Sequence, residues 1–369
     1  MRIAILTQPL RYNYGGLLQN YALQTVLKRM GHKPVTLDPN PYALTDWTTP
    51  LRVIKRAIWK YVFHKQKVGI IWEYRKNHNI KLLETNTGPF IKKHIHFKRY
   101  REINSVGIKN YDAIIVGSDQ VWRPKYNGSR QNNMFLDFAM DLPIKKISYA
   151  ASFGTDHWEF NEEQTKKYRH LISLFDAISV REDSGIELCK RFFNKDAIHV
   201  LDPTMLLTKD DYISNILPFQ TTKNTKYLFY YILDNNEKKE QIIKESTKKL
   251  NLHTITVRAK DERSIKIEHK IQPPLEDWLA AISKAEYIIT DSFHGTVFSI
   301  IFNRPFTVIL NEERGSSRIE SLLKSFNLED RIYTPNVSIN KSIDWVQVNN
   351  IMSARRMMSM VFLEEHLNV

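Results

Sequence analysis

Short apolar runs alternate with segments of helical period along this chain, and that alternation leaves few folds open to it. Ile3–Leu6 reads as a strand, Asn13-Tyr14-Gly15-Gly16 as a turn, and Leu17–Met30 as a helix with Leu18, Tyr21, Ala22, Val26 and Met30 on one face. Gly31 ends that helix, and Pro34–Leu37 is the next strand. Tyr111–Val116, Lys146–Ala150 and Ala177–Val180 are further strands, each running into a polar loop. A second series follows: strand Lys226–Leu233, helix Asn236–Leu250, strand His253–Val257, helix Glu276–Lys284, strand Tyr287–Thr290, helix Gly295–Phe302 and strand Phe306–Leu310. Strands spaced by helices build parallel sheets covered on both faces, so the class is doubly wound α/β.

A chain of 369 residues exceeds one ordinary core and fits two such domains. The character changes at His199-Val200-Leu201-Asp202-Pro203-Thr204, a strand followed by a link. We therefore expect a Rossmann-like domain over 1–197, a second over 198–344, and a C-terminal helix over 345–369 that packs back on the first. A basic helical insertion occupies about 51–83.

Composition narrows the function classes. With one cysteine, Cys189, in a helical pattern, no intrachain disulfide can form and a buried structural thiol is expected. The apolar start breaks at Thr7-Gln8-Pro9, unlike a signal peptide, and no apolar run reaches the ~20 residues of a membrane span. The expected location is the cytoplasm. The formal charge of +14 favours acidic partners, although no nucleic-acid-binding motif accompanies it.

Ligands of open α/β sheets bind beyond the carboxyl ends of strands, on helix starts with free N–H groups. Three junctions have that layout. In the first, Gly15 and Gly16 let backbone approach a ligand, with Asn13 and Gln19 as polar contacts; an ordinary tight turn is the competing reading. In the second, Arg181 follows a strand and can hold phosphate or carboxylate, or pair with a neighbouring acid. In the third, Thr290-Asp291-Ser292-Phe293-His294-Gly295 joins strand to helix, so His294 sits where the helix dipole favours an anion. A histidine there can bind phosphate or act as a general acid.

These segments resemble the polysaccharide pyruvyltransferase family. The resemblance rests on Asn13-Tyr14-Gly15-Gly16-Leu17-Leu18-Gln19; Gly117-Ser118-Asp119-Gln120-Val121-Trp122; Tyr149-Ala150-Ala151-Ser152-Phe153-Gly154; Val180-Arg181-Glu182; Asp202-Pro203-Thr204; and Asp291-Ser292-Phe293-His294-Gly295-Thr296. It implies two Rossmann-like domains in a glycosyltransferase-B-like arrangement, the acceptor side on the first and the donor side on the second. It also implies phosphoenolpyruvate as co-substrate and a hexose, galactose or similar, of a capsular, exo- or cell-surface polysaccharide as acceptor. Whether that acceptor is lipid-linked or a nucleotide sugar is left open by the resemblance. In relatives an arginine after a first-domain strand, and an Arg-Leu-His triplet, hold the donor. The first falls on Arg181. The triplet falls on Ser292-Phe293-His294, so one expected cation is missing, and Arg314 or Arg318 is expected to replace it.

His294 is the expected proton donor or phosphate ligand, Asp119 and Asp291 the candidate bases, and Gly295 part of the donor-binding turn. No motif calls for a metal or further cofactor. Two other readings use the same scaffold: a nucleotide-sugar glycosyltransferase, and a non-catalytic glycan-assembly protein. Leu51–Lys65 forms a basic amphipathic helix that either rests on an anionic membrane or packs on the first domain with its lysines in water.

Overall fold

The computed structural model describes residues 1–64, 69–217, 226–261, 264–311, 314–335 and 341–367. Eleven parallel strands form two sheets among them. The first holds β1 (Arg2–Leu6), β2 (Lys33–Pro39), β3 (Phe97–Tyr100), β4 (Ala113–Val116), β5 (Lys145–Ala151), β6 (Ala177–Val180) and β7 (Ile198–His199). Their order is 3-2-1-4-5-6-7, with β1 pairing both β2 and β4, the doubly wound reversal of a Rossmann-like sheet. The second holds β8 (Tyr227–Tyr231), β9 (His253–Ile255), β10 (Tyr287–Thr290) and β11 (Phe306–Val308), in the order 11-10-8-9.

The apolar runs became strands because both faces of each sheet are covered. Every residue of β4, β6 and β10 is buried. β3 carries no strand signature in the sequence: at the sheet edge, Phe97-Lys98-Arg99-Tyr100 is only half-buried and interrupts its aromatic residues with two cations. Several strands end earlier than their apolar runs, as at Tyr231, Ile255 and Val308, because ladder pairing stops before the apolar residues do.

One apolar cluster links the inner faces of both sheets, from Ile3 and Ile5 through Leu17, Tyr212 and Trp278 to Ile288 and Phe298. The helix Trp345–Leu367 joins that cluster through Val348, Met352, Phe362 and Leu363, each contributing about 1.5–3 kcal/mol by burial. Its Arg356 donates to the carbonyls of Met205 and Leu207, and Ser359 accepts from the Leu201 amide. Phe362 packs on the Tyr149 ring and the His366 carbonyl accepts from Lys145, so the helix crosses the linking segment and touches the first sheet. Cys189 is buried, and desolvation raises its thiol.

The basic insertion is two helices, Thr49–Tyr61 and Trp72–Leu83. Lys65, the expected end of the first, lies outside the described residues.

Candidate active site

Two sheets whose carboxyl edges face one another leave a cleft between them. It has a volume of about 390 Å³, and Gln8, Tyr12, Gly15, Asp119, Tyr126, Ser292, His294 and Arg318 are among its lining residues. Two of the three junctions singled out in the sequence line it, through Asn13 and Gly15 and through Ser292, Phe293 and His294, the last in the first turn of the helix Phe293–Ile301. Asp119 reaches it from the loop after β4, while Arg181, at the end of β6, lies buried behind Asp119.

The Arg181 side chain is almost fully buried and is held by two carboxylates. Its Nη1 donates to Asp202 Oδ2 at 3.0 Å, and its Nη2 lies 3.4 Å from Asp119 Oδ1. Its guanidinium sits 4.4 Å above the Phe293 ring, a cation–π contact that fixes its plane. Burial alone would lower the pKa of Arg181, but Asp119, Asp202 and Glu182 outweigh it and raise it. Burial alone would likewise raise Asp119; the charges of Arg181, His294 and Arg318 hold it below the usual carboxylate range. Asp119 adopts φ 73°, a left-handed conformation that Asp tolerates better than most residues, and this turns its carboxylate toward Arg181.

Asp202 organises the rest. Its carboxylate accepts from Thr204, Ser118 and Arg181, and lies 3.7 Å from His294 Nε2. Burial would raise its pKa, but His294 and Arg181 drive it far down. The motif Asp202-Pro203-Thr204 marked the family in sequence without assigning the aspartate a task. Its position between the sheets, facing both an arginine of one domain and a histidine of the other, is visible only in three dimensions.

His294 also explains a glycine. A Cβ at Gly15 would stand 2.0 Å from His294 Nδ1, so only glycine lets the first helix of one domain meet the imidazole of the other. Gly315 has the matching role across the cleft. At φ 87°, its missing Cβ would stand 1.7 Å from the Gly154 carbonyl oxygen, so this loop docks tightly and the following helix Ser317–Ser325 carries Arg318 inward.

Arg314 and Arg318 separate clearly. Arg314 is partly exposed and forms an ion pair with Asp234. Arg318 is buried, its guanidinium 5.6 Å from the Phe293 ring on which Arg181 stacks, and its Nη2 donates to the Arg314 carbonyl. Among the described residues no carboxylate pairs with Arg318 within 4.0 Å, and its Nε has no partner. Burial and the neighbouring Arg181 charge pull its pKa down to about 10, which leaves it cationic at neutral pH.

Other expected site residues lie elsewhere. Asp291 is fully buried behind the cleft wall: it pairs with Lys239 at 2.7 Å and accepts from the amides of Leu233 and Asp234. Its place is that of an anchor for the loop after β8, not of a base for a cleft ligand, because its carboxylate is already engaged by these donors. Gln19 is also internal, donating to Thr7 and the Gly16 carbonyl and accepting from the Ser118 amide. Gly16 packs beside Asn13, and Gly295 lies against Thr290, behind the cleft surface. Ser292 lines the cleft while its hydroxyl caps the Gly295 amide. The sequence did not single out Arg11, Tyr12, Tyr126 and Arg130, which line the first-domain side and belong to no strand–helix motif. Among the described residues, no group of three His, Cys, Asp or Glu side chains is placed to hold a metal ion.

Comparison with known proteins follows this geometry. No curated protein sequence matches the chain. Solved structures similar to it include the glycosyltransferase SsfS6 of Streptomyces sp. SF2575, at 11% identity and TM-score 0.42, with 98% of each chain covered. UDP-GlcNAc 2-epimerase of Methanocaldococcus jannaschii is similar at 12% identity and TM-score 0.46, covering 98% of this chain and 99% of that one. UDP-bound MnaA of S. aureus is similar at 11% identity and TM-score 0.49, covering 99% and 91%. The family profile described as polysaccharide pyruvyl transferase matches residues 13–313, most of the chain. Two parallel-sheet domains face each other across the cleft, and the chain belongs to the polysaccharide pyruvyl transferase family.

Proposed function

We propose that the cleft binds phosphoenolpyruvate and transfers its pyruvyl group, as a ketal, to two hydroxyls of a hexose in a cell-surface glycan or its precursor. The observation that carries this reading is Arg318, a buried cation with no carboxylate partner among the described residues, beside Arg181 and the helix start at His294. A buried charge is costly unless something neutralises it, so this arrangement favours an anionic ligand. Phosphoenolpyruvate offers a phosphate and a carboxylate. Arg318 supplies the cation that Ser292 lacks. Arg314, committed to Asp234, is less suited to the task.

Transfer then needs a proton on the methylene carbon, attack of one sugar hydroxyl at the adjacent carbon, departure of phosphate, and closure by the second hydroxyl. His294, whose buried Nε2 has no hydrogen-bond partner among the described residues and lies 3.7 Å from Asp202, is the candidate to protonate that carbon or to hold the phosphate. Arg181 and Arg318 stabilise the leaving phosphate. Asp119 lines the cleft as a carboxylate and is the candidate acceptor of a hydroxyl proton. Tyr12 and Tyr126, both partly exposed at the first-domain wall, offer faces on which a sugar ring can stack.

Purified protein incubated with labelled phosphoenolpyruvate and a panel of galactosides, lipid-linked and soluble, tests this. Phosphate release coupled to an acid-labile pyruvyl ketal is expected. Sugar transfer from a nucleotide donor with no use of phosphoenolpyruvate would replace this reading with the glycosyltransferase one.

A further inference from the structure

The helix Thr49–Tyr61 is mounted the wrong way round for a water-soluble surface. Leu51, Ile54, Ile58, Tyr61 and Val62 recur at intervals of three and four, the spacing of one helical face. That face normally turns inward. Here the inward face is the cationic one: Arg56 reaches Glu73 at 2.5 Å, and Arg52 reaches Glu73 at 3.5 Å and Asp46 at 3.4 Å. Glu73 itself is buried, on the helix Trp72–Leu83. The apolar face points to solvent, with Leu51 61% exposed, Ile54 55% and Val62 64%.

The patch does not stop at the helix. Trp47, Trp59, Phe63, Ile71 and Trp72 are also exposed around it. Single exposed apolar residues are ordinary, but a contiguous patch of this kind needs another apolar phase. Its charge indicates which one. Trp47–His64 contains four Lys or Arg residues (Arg52, Lys55, Arg56, Lys60) and no Asp or Glu. Lys55 stays exposed at its flank, its ammonium 5.6 Å from the Trp59 ring, and Lys60 stays exposed with its ammonium 5.7 Å from the Tyr61 ring. A second copy docked face to face would bring the flanking lysine close to its own kind. Anionic headgroups instead neutralise the lysines while the apolar residues and tryptophans enter the acyl boundary.

We infer that this inverted helix, with the tryptophans around it, is a membrane-surface anchor that seats the molecule on anionic lipid. Among the described residues no helix is long and apolar enough to cross a membrane, and a surface helix does not require one.

Sedimentation of the full chain with lipid vesicles tests this directly and does not depend on the transfer reaction. The wild type is expected to pellet with vesicles of phosphatidylcholine and phosphatidylglycerol, and far less with phosphatidylcholine alone. Ile54→Glu/Ile58→Glu and, separately, Lys55→Glu/Lys60→Glu are each expected to weaken that partitioning roughly tenfold or more. These residues are exposed, so unchanged circular dichroism and melting temperature are expected in both variants. Three outcomes overturn the inference. They are no pelleting with anionic vesicles, equal pelleting with both lipid compositions, and a lipid-free dimer in sedimentation velocity that Ile54→Glu/Ile58→Glu dissolves. The last would make the face a contact between copies.

Discussion

Two arginines that differ by four positions behave oppositely in this structure, and the difference is one of neutralisation. Arg314 has Asp234, whereas among the described residues Arg318 has a carbonyl oxygen and an aromatic ring and no carboxylate within 4.0 Å. Arg318→Gln is therefore expected to reduce kcat/KM for phosphoenolpyruvate by roughly 10²–10³, the size of losing one preorganised charge on a developing anion. Arg314→Gln is expected to change it by less than about tenfold, and calorimetric titration with phosphoenolpyruvate should rank the two variants the same way. Arg181 needs a different experiment, because it is structural as well. Arg181→Ala removes the arginine that neutralises the buried Asp119 and Asp202 and is expected to cost about 3 kcal/mol of stability in denaturant titration, so lost activity alone would say little. Gly15→Ala would place a methyl 2.0 Å from the His294 ring; activity should fall sharply while the melting temperature moves by a few degrees.

At the scale of elements, the strand–turn–helix units do two jobs that look identical in sequence. The unit β10 to Phe293–Ile301 presents His294 to the cleft and points Asp291 into the protein, though the two residues are three apart. Asp291→Ala would leave the largely buried Lys239 without its carboxylate, costing about 3 kcal/mol of stability, with transfer per folded molecule retained. The joint between β7 and the C-terminal helix is pH-sensitive. His199 Nε2 faces the Arg181 carbonyl at 3.0 Å and its Nδ1 faces Arg355 at 3.2 Å. Burial and the Arg355 charge lower its pKa from 6.5 to about 4. Between those values the unfolded chain binds a proton that the folded chain does not. Its contribution therefore makes stability fall as pH drops from about 6.5 toward 4, and leaves stability unaffected above that window. Relative to His199→Gln, the wild type is expected to lose about 2–3 kcal/mol more across that range.

Across the whole molecule, the fold was largely legible because a parallel sheet covered on both sides demands continuous apolar strands, and β4, β6 and β10 wrote that demand into the sequence. Edge strand β3 did not, since half-buried backbone tolerates Lys98 and Arg99. The same local logic drew attention to Arg181 and His294, because a helix start after a strand presents free N–H groups, and both residues meet at Asp202 between the sheets. By itself the sequence determined the two-domain parallel architecture and the set of loops facing the cleft, for these follow from periodicity and local turns. Only the tertiary structure could bury Arg318 while pairing Arg314 with Asp234, commit Asp291 to Lys239, set Asp202 between Arg181 and His294, and turn the helix Thr49–Tyr61 apolar side out. Each of those outcomes depends on which charge finds a distant partner, and distances between residues far apart in the chain are fixed by packing, not by local order.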